Sequence, residues 1–213
     1  RVRPFVLALR ERFPLLPISL DTWRAEVAQA CEGAVDLVND TWQGADPDLV
    51  HVAATLGAGY VVSHTGGLPP RTDPSGVDYG PGEAVVEDVL RVLRDGAHKA
   101  LDAGVRPDGV LVDPTLDFGK TTPNSLALVA ATDRVVGLGF PVLQAISRKD
   151  FVGETLDLPA DERLEGSLAA TAVAAWLGAT VFRAHDVRAT RRTLDMVASI
   201  RGDRPPARAE RGR

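Results

Sequence analysis

Cysteine is almost absent: Cys31 is the single one in 213 residues, so no disulfide can form within the chain, and the composition suits a reducing compartment. Aromatics make up only 5% of the residues, which disfavours a sandwich of aromatic-rich strands. No apolar run approaches the ~20 residues of a membrane span. No secretory signal stands ahead of the first helical pattern, so a cytoplasmic protein with no membrane partner is expected. Positive charge is not in surplus either. A formal net charge of −5 argues against a nucleic-acid-binding body. No His or Cys spacing makes a zinc site, and no metal ligand is assigned. An initiator methionine is lacking too, and Arg1 already stands inside an amphipathic pattern, so an amino-terminally incomplete chain is expected.

What the chain has instead is one repeated grammar: a short aliphatic run, polar residues at its end, then a helical pattern. Val2, Phe5, Val6 and Leu9 mark a first helix running to about Phe13. Strands are expected at 16–20, 35–38, 59–63, 109–112, 141–146 and 179–182. Helices are expected at 23–32, capped by Asp21 or Thr22, and at 48–56, 83–103, 125–138, 161–177 and 188–199. A loop rich in Gly, Pro and Asp runs from Gly66 to about Gly82, a length typical of lids and binding loops. The pattern ends near residue 200, and 201–213 reads as a disordered tail.

Strands alternating with helices imply an α/β fold whose parallel sheet is covered on both faces. A doubly wound sheet gathers its site at one switch point. Here every strand ends in polar residues, which is the pattern of a (β/α)8 barrel. Six βα units are present, so the first two of the eight are expected to be missing. The alanines Ala169, Ala170, Ala174 and Ala175, with Trp176 and Leu177, form a smooth apolar surface on a late helix. That surface suggests a homodimer through the last helices.

The densest chemistry follows the aliphatic run Val110-Leu111-Val112, where Asp113-Pro114 leads into Phe118, Gly119 and Lys120. Proline denies its amide to the sheet and holds Asp113 extended, which presents a fixed charge or simply closes the strand with a turn. Asp113 and Asn39 suit a heterocycle with adjacent N–H donors and ring acceptors, and Lys149 suits a carbonyl oxygen. Arg183 and His185 lie two apart after the last strand and point the same way if extended. They clamp an anion, or else Arg183 merely pairs with Asp186. His64 reads as well as a structural histidine as it does a functional one.

Asp113-Pro114 with Phe118-Gly119-Lys120-Thr121, Ser147-Arg148-Lys149 with Phe151 and Gly153, and Arg183-Ala184-His185-Asp186-Val187 resemble the signature segments of dihydropteroate synthases. Ser19-Leu20-Asp21-Thr22 and Val38-Asn39-Asp40 precede them in that family's order, and the resemblance spans about residues 1 to 200. It implies a (β/α)8 barrel of folate biosynthesis. Such a barrel joins dihydropterin pyrophosphate to p-aminobenzoate with loss of pyrophosphate. It is helped by Mg2+, whose usual asparagine ligand is outside this sequence. By the same resemblance Asp21, Asn39, Asp113 and Lys149 grip the pterin, and Arg183 lies over its ring. Arg183 and His185 take the pyrophosphate, Phe118 packs on the aminobenzoate ring, and Lys149, Arg183 and His185 form the catalytic set.

The departures from that pattern are Thr115 and Asp117 where the family usually has glycine, and Asp150 where a serine or basic residue usually follows the lysine. Asp150 would place negative charge where the p-aminobenzoate carboxylate binds. In these respects the chain resembles a divergent second synthase copy of actinobacteria, whose activity is lost or altered. The other readings are a non-catalytic pterin-binding paralogue and a methyltetrahydrofolate-binding methyltransferase.

Overall fold

The computed structural model describes residues 1–72, 77–80 and 83–211. The centre of the expected long loop, its last two positions and the end of the expected tail lie outside the described residues. In chain order the elements are α1 (Val2–Arg12), β1 (Ser19–Asp21), α2 (Ala25–Gln29), β2 (Leu37–Asn39), α3 (Leu49–Thr55), β3 (Gly59–Ser63) and α4 (Ala84–Asp102). There follow β4 (Val110–Asp113), α5 (Thr122–Ala130), α6 (Thr132–Val136), β5 (Leu143–Gln144), α7 (Asp150–Leu156), α8 (Leu164–Trp176), β6 (Val181–Phe182) and α9 (Val187–Arg201).

All the strands are parallel, in the spatial order β1-β2-β3-β4 and then β5-β6. A bridge between Val112 and Val142 joins the two groups, with the Val112 N–H donating to Pro141 O at 3.0 Å. The result is one arc of a barrel wall, with β1 and β6 at its edges. Asn39 stands level with Val61, whereas Asp113 stands level with Ser63. The strand ends therefore climb around the arc, as the stagger of a barrel requires.

The core lies between this wall and the helices. Val38, Val61, Val110 and Val112 are fully buried, and so are Leu49, Val89 and Leu93 on the facing helices. Gly96 sets how closely α4 approaches β3, because a Cβ there would lie 2.4 Å from Val62 Cγ1.

Three local expectations need correction. The first turn of α2 is not capped by Asp21 or Thr22. The amide of Ala25 instead donates to Asp46 Oδ2 at 2.7 Å, so the cap comes from the next loop. The expected helix at 125–138 is two helices meeting at Ala131. Thr132 Oγ1 donates to Val129 O at 2.8 Å and competes there for a helix carbonyl. Residues 150–156, where no helix is expected from the sequence, form α7.

The smooth surface expected on α8 is also different. Ala174 and Ala175 are buried against the chain's own core, while Val173 and Trp176 are exposed.

Gly96→Ala should lower the unfolding free energy by about 1–3 kcal/mol through overpacking against the stiff Val62 side chain. In a Val62→Ala background the clash is gone, and the same change should stabilise by about 1 kcal/mol through helix propensity. Urea titration of the four proteins measures both signs, and a destabilising Gly96→Ala in both backgrounds would refute the packing account.

Candidate functional site at the carboxyl ends of the strands

Asp113 ends β4 and is 5% exposed. Its Oδ1 accepts the Thr115 N–H at 2.6 Å, while Thr115 Oγ1 donates back to Asp113 O at 2.9 Å. Burial raises the carboxyl above the usual carboxylate range, against the Thr115 amide and the charges of Lys149, Lys120 and Arg183, which pull it down. A buried acid surrounded by three cations is poised to accept hydrogen bonds from a polar ligand.

Lys120 ties this strand to its neighbour. Its Nζ donates to His64 O at 2.7 Å, Phe118 O at 2.8 Å and Thr115 O at 3.0 Å. Three donors meet three carbonyls, so the ammonium is satisfied even though burial pulls Lys120 down to about 7. His64 lies beneath it, fully buried, with its N–H on Thr115 Oγ1 at 3.1 Å and Nε2 2.9 Å from Asp88 Oδ2. Arg91 completes this line by pairing with Asp88.

On the β1–β2 side, Asn39 Nδ2 donates to Asp21 Oδ2 at 3.3 Å and Thr41 Oγ1 donates to Asp21 Oδ1 at 3.2 Å. Asp40 faces the other way: it is 1% exposed and accepts N–H groups from Trp42 and Gly44 and the Tyr60 hydroxyl. It shapes the loop that carries Trp42. The Trp42 ring meets Phe118 edge-on at 5.4 Å, and Lys149 Nζ sits 4.6 Å over the Phe118 ring. Lys149 also donates to Leu116 O. Burial lowers its pKa, opposed by Asp113 and Asp117.

Asp117 is the residue whose role the sequence hid. Its backbone has φ 69, and Thr115 nearby has φ 52, both in the left-handed region. The Asp117 carboxylate accepts the N–H of Asp150 at 2.7 Å and of Phe151 at 3.3 Å, which are the first two amides of α7. A cap supplied from a separate loop thus starts this helix. Asp150, the acid expected to repel a ligand, turns its own carboxylate to Arg163 at 2.8 Å. Asp186 is likewise taken: Arg148 grips it at 3.1 Å, so Arg183 is not its partner. Arg183 and His185 are both exposed at the end of β6, and Ser147 Oγ accepts the His185 N–H at 3.2 Å.

The structure therefore gathers Asp21, Asn39, Asp113, Phe118, Lys149, Arg183 and His185 at one end of the sheet. Sequence reading assigned no role to Gln43, Asp88 or Arg163, nor the cap to Asp117.

Residues 1–185 of the chain match a family model described as "Pterin binding enzyme". The chain is 56% identical over its whole length to the inactive dihydropteroate synthase 2 of Mycobacterium leprae, covering 74% of that protein. A solved Mycobacterium tuberculosis structure, Rv1207, superposes with TM-score 0.77 at 45% identity, over 97% of this chain and 77% of that one. Dihydropteroate synthase from Xanthomonas albilineans in complex with 7,8-dihydropteroate gives TM-score 0.81 at 33% identity, over 94% and 72% of the two chains. The chain belongs to the pterin-binding enzyme family, in its dihydropteroate synthase branch. Its wall is accordingly of the TIM-barrel type.

Burial, then the Lys120 charge, lower His64 to about 4, against its bond to Asp88, so the folded protein keeps a neutral imidazole where the unfolded chain binds a proton. This contribution to stability is fully present above pH 6.5 and is lost as pH falls towards 4, by about 3 kcal/mol in total. Denaturant titrations of wild type and His64→Gln between pH 7 and 4 should show a steeper acid loss in wild type. Parallel curves would refute the assignment.

Proposed function

We propose that the chain holds a dihydropterin pyrophosphate at the strand ends and has closed the neighbouring place for p-aminobenzoate. In this reading Asp113 accepts ring N–H donors, Asn39 and Asp21 flank them, Lys149 meets the ring carbonyl, and Arg183 covers the ring. Arg183 and His185 take the pyrophosphate. The dihydropteroate bound to the Xanthomonas relative and the charges gathered around Asp113 support the pterin half.

One observation carries the second half: the chain's own Asp117 carboxylate already occupies the amides that open α7. Lys149 and Trp42 also occupy a face and an edge of Phe118, the ring expected to pack on an aminobenzoate. A synthase must bring an aryl amine up to the pterin methylene as pyrophosphate leaves. With that approach filled, the balance favours a pterin-binding paralogue over an active synthase, in line with the inactive name of the Mycobacterium leprae relative. The cationic strand-end loops favour a pyrophosphate ligand over the methyl donor of a methyltransferase.

Three further parts of the proposal concern the setting. No three His, Cys, Asp or Glu side chains converge on a metal position among the described residues. Mg2+ would therefore enter with the pyrophosphate, held largely by phosphate oxygens and water. A cytoplasmic location follows from the folate-pathway reading, and no described helix is long and apolar enough to cross a membrane. A second copy would dock on Val173, Trp176, Met196 and Ile200, which are 48–61% exposed on α8 and α9. Light scattering at micromolar concentration should give twice the chain mass. A Trp176→Glu variant should give the single mass.

Calorimetry on protein saturated with pterin and pyrophosphate tests the closed half. Asp117→Gly frees the α7 amides and suits the left-handed backbone, so p-aminobenzoate affinity should rise about tenfold, worth about 1.4 kcal/mol. Asp150→Ser alone should change it little, because Arg163 already neutralises that carboxylate. Tight p-aminobenzoate binding by wild type, with pyrophosphate release, would overturn the proposal.

A further inference from the structure

On the flank of the sheet a cleft of 580 Å3 runs between α3 and α4 and reaches Ser63 at the end of β3. It lies where α3, of 7 residues, runs beside α4, of 19, and its β3 floor is only narrowly open, with Tyr60 5% and Val62 6% exposed. Tyr60, Val62, Val50 and Val92 give the cleft an apolar lining. The Tyr60 hydroxyl donates to the buried Asp40 at 2.8 Å, which fixes the ring in place. Along α4 the rim alternates in sign as Arg91, Asp95, Lys99 and Asp102. Among the described residues Arg91 pairs with Asp88, and Asp95, Lys99 and Asp102 enter no ion pair.

We propose that this cleft is an effector site for a small amphipathic zwitterion of the amino-acid class. Its apolar side chain lies on Tyr60 and Val62, its carboxylate meets Lys99 and Arg91, and its ammonium meets Asp95 or Asp102. The volume is within the range of small-molecule sites, and alternating charge over an apolar floor is what such a head and body require.

Two connections run from the cleft to the strand ends. Arg91 holds Asp88, which holds His64, whose carbonyl accepts Lys120 and whose N–H donates to Thr115. Ser63 and Gln43 also line the cleft. The Gln43 N–H donates to Ser63 Oγ at 2.9 Å, and its Oε1 accepts the Thr65 N–H at 2.7 Å. A carboxylate that draws Arg91 from Asp88 alters the support of His64 and, through it, the loop that follows Asp113. That this would change pterin affinity rests on the function proposed above, so the tests use no pterin.

L-phenylalanine is the probe. It should raise the melting temperature by roughly 3–6 °C at ten times its Kd, the shift growing with the logarithm of concentration above Kd. Lys99→Glu, on an exposed rim, should weaken binding at least tenfold, read against its own unliganded melting temperature, which the reversed charge in the last turn of α4 lowers slightly. Val92→Trp, which fills the cleft, should abolish it, and L-phenylalaninol, which lacks the carboxylate, should bind at least tenfold more weakly. Hydrogen exchange in peptides covering residues 63–67 and 113–120 should change when L-phenylalanine binds. No shift, an equal shift in Lys99→Glu, or equal binding of the alcohol would overturn the site. Binding with unaltered exchange in both peptides would overturn the effector role.

Discussion

One buried ammonium joins the two strands that matter most. Lys120 is drawn into the carbonyls of His64, Thr115 and Phe118, so the ends of β3 and β4 move as one body. Without it the carbonyls of His64 and Phe118 would lose their donor, at about 1–3 kcal/mol for each group left unsatisfied, and Thr115 O would keep only the Phe118 N–H at 3.3 Å. The same charge helps to hold Asp113 ionised against its burial and keeps the proton off His64. The positions of Asp113, Phe118 and the loop between them follow from it.

The loop after Asp113 has taken on a second task. Thr115 and Asp117 adopt a backbone that glycine enters freely and other residues enter at a cost of about 1–2 kcal/mol. That cost is offset locally. Thr115 bonds Asp113 at both its amide and its hydroxyl, and Asp117 caps α7. The left-handed positions are therefore held in place by the loop's own hydrogen bonds. Asp117 thereby ties the loop to the helix that follows Lys149.

The repeating βα plan was legible because each aliphatic run is short, is followed by polar residues and then by a 3.6-residue pattern. β3 and α4 were found within one residue of their observed bounds for that reason. Helix boundaries failed where the deciding partner was remote in sequence. Asp46 caps α2 from 21 residues away. Asp117 starts α7 from 33 residues away. Neither bond leaves a local trace. Asp150 shows a related dependence: its charge could be read, but its partner Arg163 belongs to the turn before α8.

By itself the sequence determined the family, the parallel α/β plan and the residue types at the strand ends, because these depend on local periodicity and on short contiguous segments. Tertiary structure alone decided which acids are free to meet a ligand. Asp113 remains among cations, Asp40 is spent on its own loop, Asp186 is gripped by Arg148, and Asp117 closes α7. All four are the same residue type following a strand or loop. What separates them is which donor the fold brings within about 3 Å, and hydrogen bonding and burial act over that distance in space rather than along the chain.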